Sequence, residues 1–183
     1  MPLLEPSPAA PCTAKSTKRW HAPLRALVSA QRAGPLWFHC LLAWPAGLLP
    51  SVALLGLAHV MAALLGLDAA AFQPPARVLS VGEFFSSVVF APVVETLMLG
   101  GLLWLLSRLS PQPLFVAAMS GLLWGALHGT FGLLWFFGTA WTFYVLGCCY
   151  LAWRPQGWWK AFVAAALPHA LINLTALSMR LLD

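Results

Sequence analysis

Apolar residues run along this chain in long blocks that charged residues interrupt at only a few points. No Lys, Arg, Asp or Glu lies between Arg32 and Asp68, between Arg108 and Arg154, or between Lys160 and Arg180, and only Glu95 lies between Glu83 and Arg108. A helix that crosses a hydrocarbon core of about 30 Å needs about 20 residues. The first block carries Pro45 and Pro50 early in its length, which predicts one helix over 46–67 preceded by an interfacial segment. The second block predicts a helix over 82–108. The third is too long for one pass, and Gly129–Thr130–Phe131–Gly132 offers a break that leaves helices over 113–129 and 132–153. The last block predicts a helix over 158–180. The fold class is therefore all-α: a polytopic membrane helix bundle of about five transmembrane helices.

The connections agree with this division. Gln73–Pro74–Pro75 separates the first two spans, and Pro111–Gln112–Pro113 the second and third. Ser80-x-x-Glu83 has the form of a capping box opening the second helix, so Glu83 has a structural explanation and is given no catalytic role. No internal repeat is visible.

Composition removes the soluble alternatives. Residues of the set AVILMFWYC make up 61% of the 183, and charged residues only 8%, against about 45–50% (counting Gly) and about 25% in soluble domains. The net charge of +5 is accordingly a topology signal, and no nucleic acid is expected as a partner. With the N-terminus inside, the inner segments carry Lys15, Lys18, Arg19, Arg25, Arg32, Arg108, Arg154 and Lys160, and the outer ones only Arg77 and Arg180. That asymmetry predicts a multi-pass protein of the cell inner (plasma) membrane with a cytoplasmic N-terminus. Residues 1–33 read as a basic arm, disordered or interfacial, and 34–183 as the integral membrane domain. The arm is not a signal peptide, because no apolar stretch with a small-residue cleavage site follows the basic residues at the right length. Vicinal Cys148–Cys149, with Cys12 and Cys40, form no metal spacing and read as free thiols. The Ala-, Leu- and Trp-rich, Lys-poor composition points to a GC-rich bacterial genome.

Within a bilayer the informative residues are ionisable groups at helix centres, since each costs a few kcal/mol or more to place there. Glu95, His128, His169 and His59 qualify, and Asn173, the only Asn in the chain, joins them. His59 stands alone on its helix and reads as a packing residue. Glu95 has no Lys or Arg in any span to pair with, so it must be protonated or face a hydrated cavity. His169 and Asn173 are four apart and share a helix face. Pro168 kinks that helix and frees a carbonyl, which a membrane tolerates only where something re-satisfies it or a cavity is lined. Gly121, Gly125 and Gly129 form a small-residue ladder on the face that carries His128, so a neighbouring backbone can approach there. One carboxylate, two imidazoles and one carboxamide thus converge on three helices at similar depth.

These residues resemble a known family. Ala91-Pro92-Val93-Val94-Glu95-Thr96, Trp124-x-x-x-His128 and His169-x-x-x-Asn173 look like the three motifs, written EExxxR, FxxxH and HxxxN, of the CPBP intramembrane proteases, the CAAX-protease and bacteriocin-processing (ABI) proteins. The resemblance covers roughly residues 80–180, the protease-like core. Two positions depart from the pattern: Thr96 stands where the family commonly has a second Glu, and Gly100 where it has Arg. The resemblance implies a glutamate-type intramembrane endopeptidase, acting without a cofactor on a membrane-associated protein or peptide, at a C-terminal tail or a leader. It implies that Glu95, helped by His128, activates water, and that His169 and Asn173 donate hydrogen bonds to the tetrahedral oxygen.

Three alternatives stand beside that reading. Glu95, His128 and His169 are also a conceivable zinc triad. A rhomboid-like serine protease would use Ser120 and His169, but Ala118 stands two before Ser120 where that family has Gly. Thr96 and Gly100 are the best sequence argument for a catalytically degenerate relative, acting as a membrane binding, immunity or chaperone-like protein.

Overall fold

Six α-helices account for most of the described residues. The structure is a computed structural model that describes residues 22–73 and 80–180. A short helix α1 (Ala22–Val28) precedes α2 (Leu36–Leu64), α3 (Val81–Leu109), α4 (Pro113–Gly129), α5 (Trp135–Trp153) and α6 (Trp158–Met179). Four of these, α2, α3, α5 with its following turn, and α6, are long and apolar enough to cross a membrane; α4, at 17 residues, falls short. Lys15, Lys18, Arg19, Cys12, Arg77 and the Pro74–Pro75 linker lie outside the described residues.

α5 is the centre of the bundle. Half of its apolar window is buried by protein, against 22% for α2 and for α3, whose Leu, Val, Phe and Trp side chains face outward in large numbers. An outside that is as apolar as the inside belongs to a chain solvated by lipid. α2, α4 and α6 pack around α5, and α3 closes the bundle against α4 and α6.

The first span begins ten residues earlier than the prolines predicted. Pro45 and Pro50 both lie inside α2. Pro50 has no N–H for the carbonyl of Ala46, four residues back, and Trp141 on α5 supplies the missing donor: its Nε1–H bonds Ala46 O at 2.9 Å. One turn on, Ser51 Oγ donates to Gly138 O at 2.8 Å and pairs with Thr142 Oγ1 at 2.7 Å. A proline inside the helix thus serves to dock it.

The basic arm is also shorter than expected, because residues 22–33 fold onto the bundle. Leu27 is fully buried and Ala33 nearly so. Tyr144 Oη donates to Val28 O at 2.7 Å, Arg32 lies over the Trp153 ring at 5.7 Å, and Ala33 N–H bonds Nδ1 of the fully buried His39 at 3.2 Å. His39, near the start of α2, is an anchor that the sequence pattern did not single out.

Three other features follow the pattern. Ser80 caps α3, its Oγ accepting from Glu83 N–H at 3.1 Å. The chain breaks after Gly129 as the Gly-Thr-Phe-Gly segment predicted. Cys40, Cys148 and Cys149 are free thiols, all buried.

The glycine ladder of α4 meets α5 at backbone distance. A Cβ at Gly121 would lie 2.6 Å from Ala140 O and 2.9 Å from Tyr144 N, and one at Gly125 would lie 2.7 Å from Ala140 Cβ. Gly101, on the open side of α3, has nothing within 4 Å of such an atom. Gly121→Val is therefore expected to destabilise by at least about 1–3 kcal/mol, the ordinary cost of overpacking, since a backbone carbonyl cannot step aside. Gly101→Ala should cost nothing measurable. Thermal unfolding of the two purified variants in detergent checks the contrast, and equal midpoints would show that the ladder is not a tight contact.

Candidate functional site

The carboxylate of Glu95 and the imidazole of His169 meet across the α3–α6 contact. Nε2 of His169 stands 3.7 Å from Oε2 of Glu95, with His169 5% exposed and Glu95 23% exposed. That separation exceeds a direct hydrogen bond, so both atoms keep capacity for a third partner lying beside them. The other ring nitrogen of His169, Nδ1, is buried and has no hydrogen-bond partner among the described residues.

His128 reaches the same region from α4. Its Nδ1 lies 3.0 Å from Trp124 O, and a carbonyl can only accept, so Nδ1 carries the proton of the neutral ring. Nε2 then presents a bare lone pair, the tautomer required of a proton acceptor. Aromatic rings hold this imidazole in place: Trp135 edge-on at 5.4 Å, Trp124 at 5.8 Å and Phe143 at 5.8 Å. Phe143 stacks on Trp124 at 4.5 Å and meets His169 edge-on at 5.3 Å. One phenyl ring of α5 thus touches both imidazoles. Neither Phe143 nor Trp135 was found by reading the sequence, because aromatic residues are too common in this chain for two of them to stand out.

Asn173 shares the His169 face of α6, but its amide has a specific occupation. Nδ2 donates to Ser87 O at 2.8 Å. Residues Ser86–Phe90 of α3 form one π-helical turn, in which Ala91 N–H bonds back to Ser86 O. Residue 92 is a proline and has no N–H, so Ser87 O has neither its i+4 nor its i+5 backbone donor. Asn173 supplies one from the next helix. Its second N–H and its Oδ1 remain for other partners.

The positions where the sequence departs from the EExxxR pattern are both occupied by close packing. Thr96 is fully buried, and its Oγ1 has no hydrogen-bond partner among the described residues. A Cβ at Gly100 would lie 2.7 Å from Tyr150 Oη and 2.9 Å from Cζ, so the phenol of α5 fills the space an arginine side chain would need. The remaining ionisable candidate, His59, bonds Leu55 O at 2.8 Å through Nδ1 and meets Gln73 through Nε2, a local tie at the end of α2 away from Glu95. No three His, Cys, Asp or Glu side chains among the described residues are arranged to hold a metal ion; His169 approaches Glu95, and His128 shares the Phe143 ring with His169, without the three forming such a ligand set.

No protein-family model, curated protein or solved structure matches the chain.

The hydrogen bond from Asn173 generates a stability prediction. Asn173→Ala leaves Ser87 O without a donor in an apolar contact and should cost about 1 kcal/mol, whereas Glu95→Gln keeps shape and packing and should leave the unfolding temperature unchanged. Parallel thermal scans in one detergent check this, and a larger loss for Glu95→Gln would mean that the Glu95 carboxylate is a structural tie.

Proposed function

We propose that this chain is a glutamate-type intramembrane peptidase that hydrolyses a peptide bond of a membrane-associated protein or peptide. The observation that carries the reading is the approach of Glu95 to His169 inside a helical bundle, with the bare Nε2 of His128 held nearby by aromatic rings. A carboxylate and two imidazoles gathered in a lipid-solvated core are costly for stability alone, and their chemistry is that of water activation. Glu95, assisted by His128, takes a proton from a water whose oxygen attacks the carbonyl carbon. His169 and the free N–H of Asn173 stabilise the tetrahedral oxygen, and the proton held by Glu95 passes to the leaving amine as the C–N bond breaks. The ordered resemblance of the Glu95, His128 and His169–Asn173 segments to the CPBP proteases supports the same assignment. No metal takes part in it.

A second reading draws on the packed positions. Thr96 is buried without a partner and Tyr150 fills the space beside Gly100, which suits a degenerate relative that binds transmembrane segments without cutting them. Glu95→Gln separates the two. The peptidase is expected to lose all cleavage while its abundance in the membrane stays normal, as read from the protein termini of membranes containing the parent or the variant. Activity retained beyond a small residue would remove the peptidase reading. His128→Ala should cost more than Asn173→Ala, because losing one oxyanion donor costs about 10²–10³ while another remains, and chelators should leave the rate intact. Zinc-reversible inhibition by chelators would instead make Glu95, His128 and His169 ligands.

The proposed site sits in an inner membrane with the N-terminus in the cytoplasm. Arg25, Arg32, Arg108, Arg154 and Lys160 gather at one end of the bundle, and Asp68, Glu83 and Arg180 stand at the other. In a Cys12→Ser background, whose other thiols are buried, Gln112→Cys is expected to resist a membrane-impermeant maleimide applied from outside and Thr130→Cys to react. The reverse pattern would invert the orientation.

A further inference from the structure

A groove of about 450 Å³ runs between α3, α5 and α6 at the basic end of the bundle, lined by Leu97, Gly100, Gly101, Trp104, Tyr150, Arg154 and Trp158. It is separate from the Glu95 site. At 3.6 residues per turn, Leu97 points about 160° around α3 from Glu95, and Gly101 and Trp104 continue the Leu97 face.

The groove joins three kinds of surface in one order. Its deep wall is Tyr150, a phenol 5% exposed whose hydroxyl lies against Gly100 because that residue lacks a side chain. Its mouth carries the exposed guanidinium of Arg154, with no carboxylate at ion-pair distance among the described residues. Arg108 stands close by, its guanidinium over the Trp104 ring at 4.6 Å. Trp104 and Trp158, 49% and 57% exposed, flank the opening. Below them Leu97 and the bare backbone of Gly101 form an apolar floor facing the lipid.

We propose that this groove binds one anionic phospholipid of the surrounding bilayer, its phosphate held by Arg154 and the Tyr150 hydroxyl and its acyl chains laid along Leu97 and Gly101. Charge complementarity selects the occupant. The described charged residues at this end of the bundle are all basic, and basic pockets between membrane helices bind anionic head groups. Exposed tryptophans mark the depth at which head groups lie. A zwitterionic choline lipid would bring its ammonium against Arg154 and Arg108, with the Trp104 face already covered by a guanidinium. This binding is independent of whether Glu95 is catalytic.

The test is lipid retention by the purified chain in native mass spectrometry, with dioleoyl phosphatidylglycerol and dioleoyl phosphatidylcholine offered at equal concentration. One phosphatidylglycerol is expected to remain bound, about tenfold over the choline lipid. Arg154→Gln should reduce its retention about fivefold, the worth of one basic residue at a membrane surface. Gly101→Trp fills the groove without altering a charge and should abolish retention, while its unfolding temperature in lipid-free detergent matches the parent. Equal retention of the two lipids would overturn the proposal. So would parent-like retention by both variants, or displacement of the lipid by millimolar inorganic phosphate, which would make the groove a site for free anions.

Discussion

The contact between α4 and α5, made backbone to backbone at Gly121 and Gly125, is the constraint on which the remaining arrangement rests. In lipid no hydrophobic drive distinguishes one apolar helix face from another, so helices associate where small residues allow close van der Waals approach. Here that approach fixes the rotation of α4 about its axis. It lays Trp124 on Phe143 and brings His128 against the same ring. Because α5 also carries the docking of α2 and α6, the position of His128 is referred to the same helix that positions His169.

A second constraint is the need to satisfy every backbone group without water. Two prolines, Pro50 and Pro92, have been turned into ties between helices. Pro50 releases Ala46 O to Trp141, and Pro92 together with the π turn releases Ser87 O to Asn173. These bonds are directional where apolar packing is not. They fix α2 against α5 and α6 against α3, and the second of them sets the approach of the helices that bear Glu95 and His169.

Much of this was legible in the chain because charges are scarce. The blocks between Arg32, Asp68, Arg108, Arg154 and Arg180 give the helices, Ser80 and Glu83 mark the start of α3, and the cost of burying Glu95 and His169 singles them out. What stayed hidden depends on partners far away in sequence. Pro45 and Pro50 read as a boundary, since nothing local reveals that Trp141 supplies a donor to the freed carbonyl. Residues 22–33 read as part of a disordered or interfacial arm, yet Leu27 and Ala33 are buried. Asn173 reads as a side chain awaiting a ligand, whereas its first partner is a main-chain oxygen exposed by a π turn that no residue pattern announces. Phe143 and Trp135 carry no mark among eleven Phe and ten Trp.

The shortness of α4 has a consequence for the solvent around the bundle. Its 17 residues span about 26 Å, several ångströms less than a hydrocarbon core of about 30 Å. A bilayer meeting so short a segment thins locally, and hydrophobic mismatch of this size costs only fractions of a kcal/mol per ångström. His128 stands one residue from the C-terminal end of α4, an end at which such thinning would bring water closer. The same truncation that leaves α4 short of a full span would draw the aqueous boundary inward towards an imidazole, beside longer helices that match the full thickness.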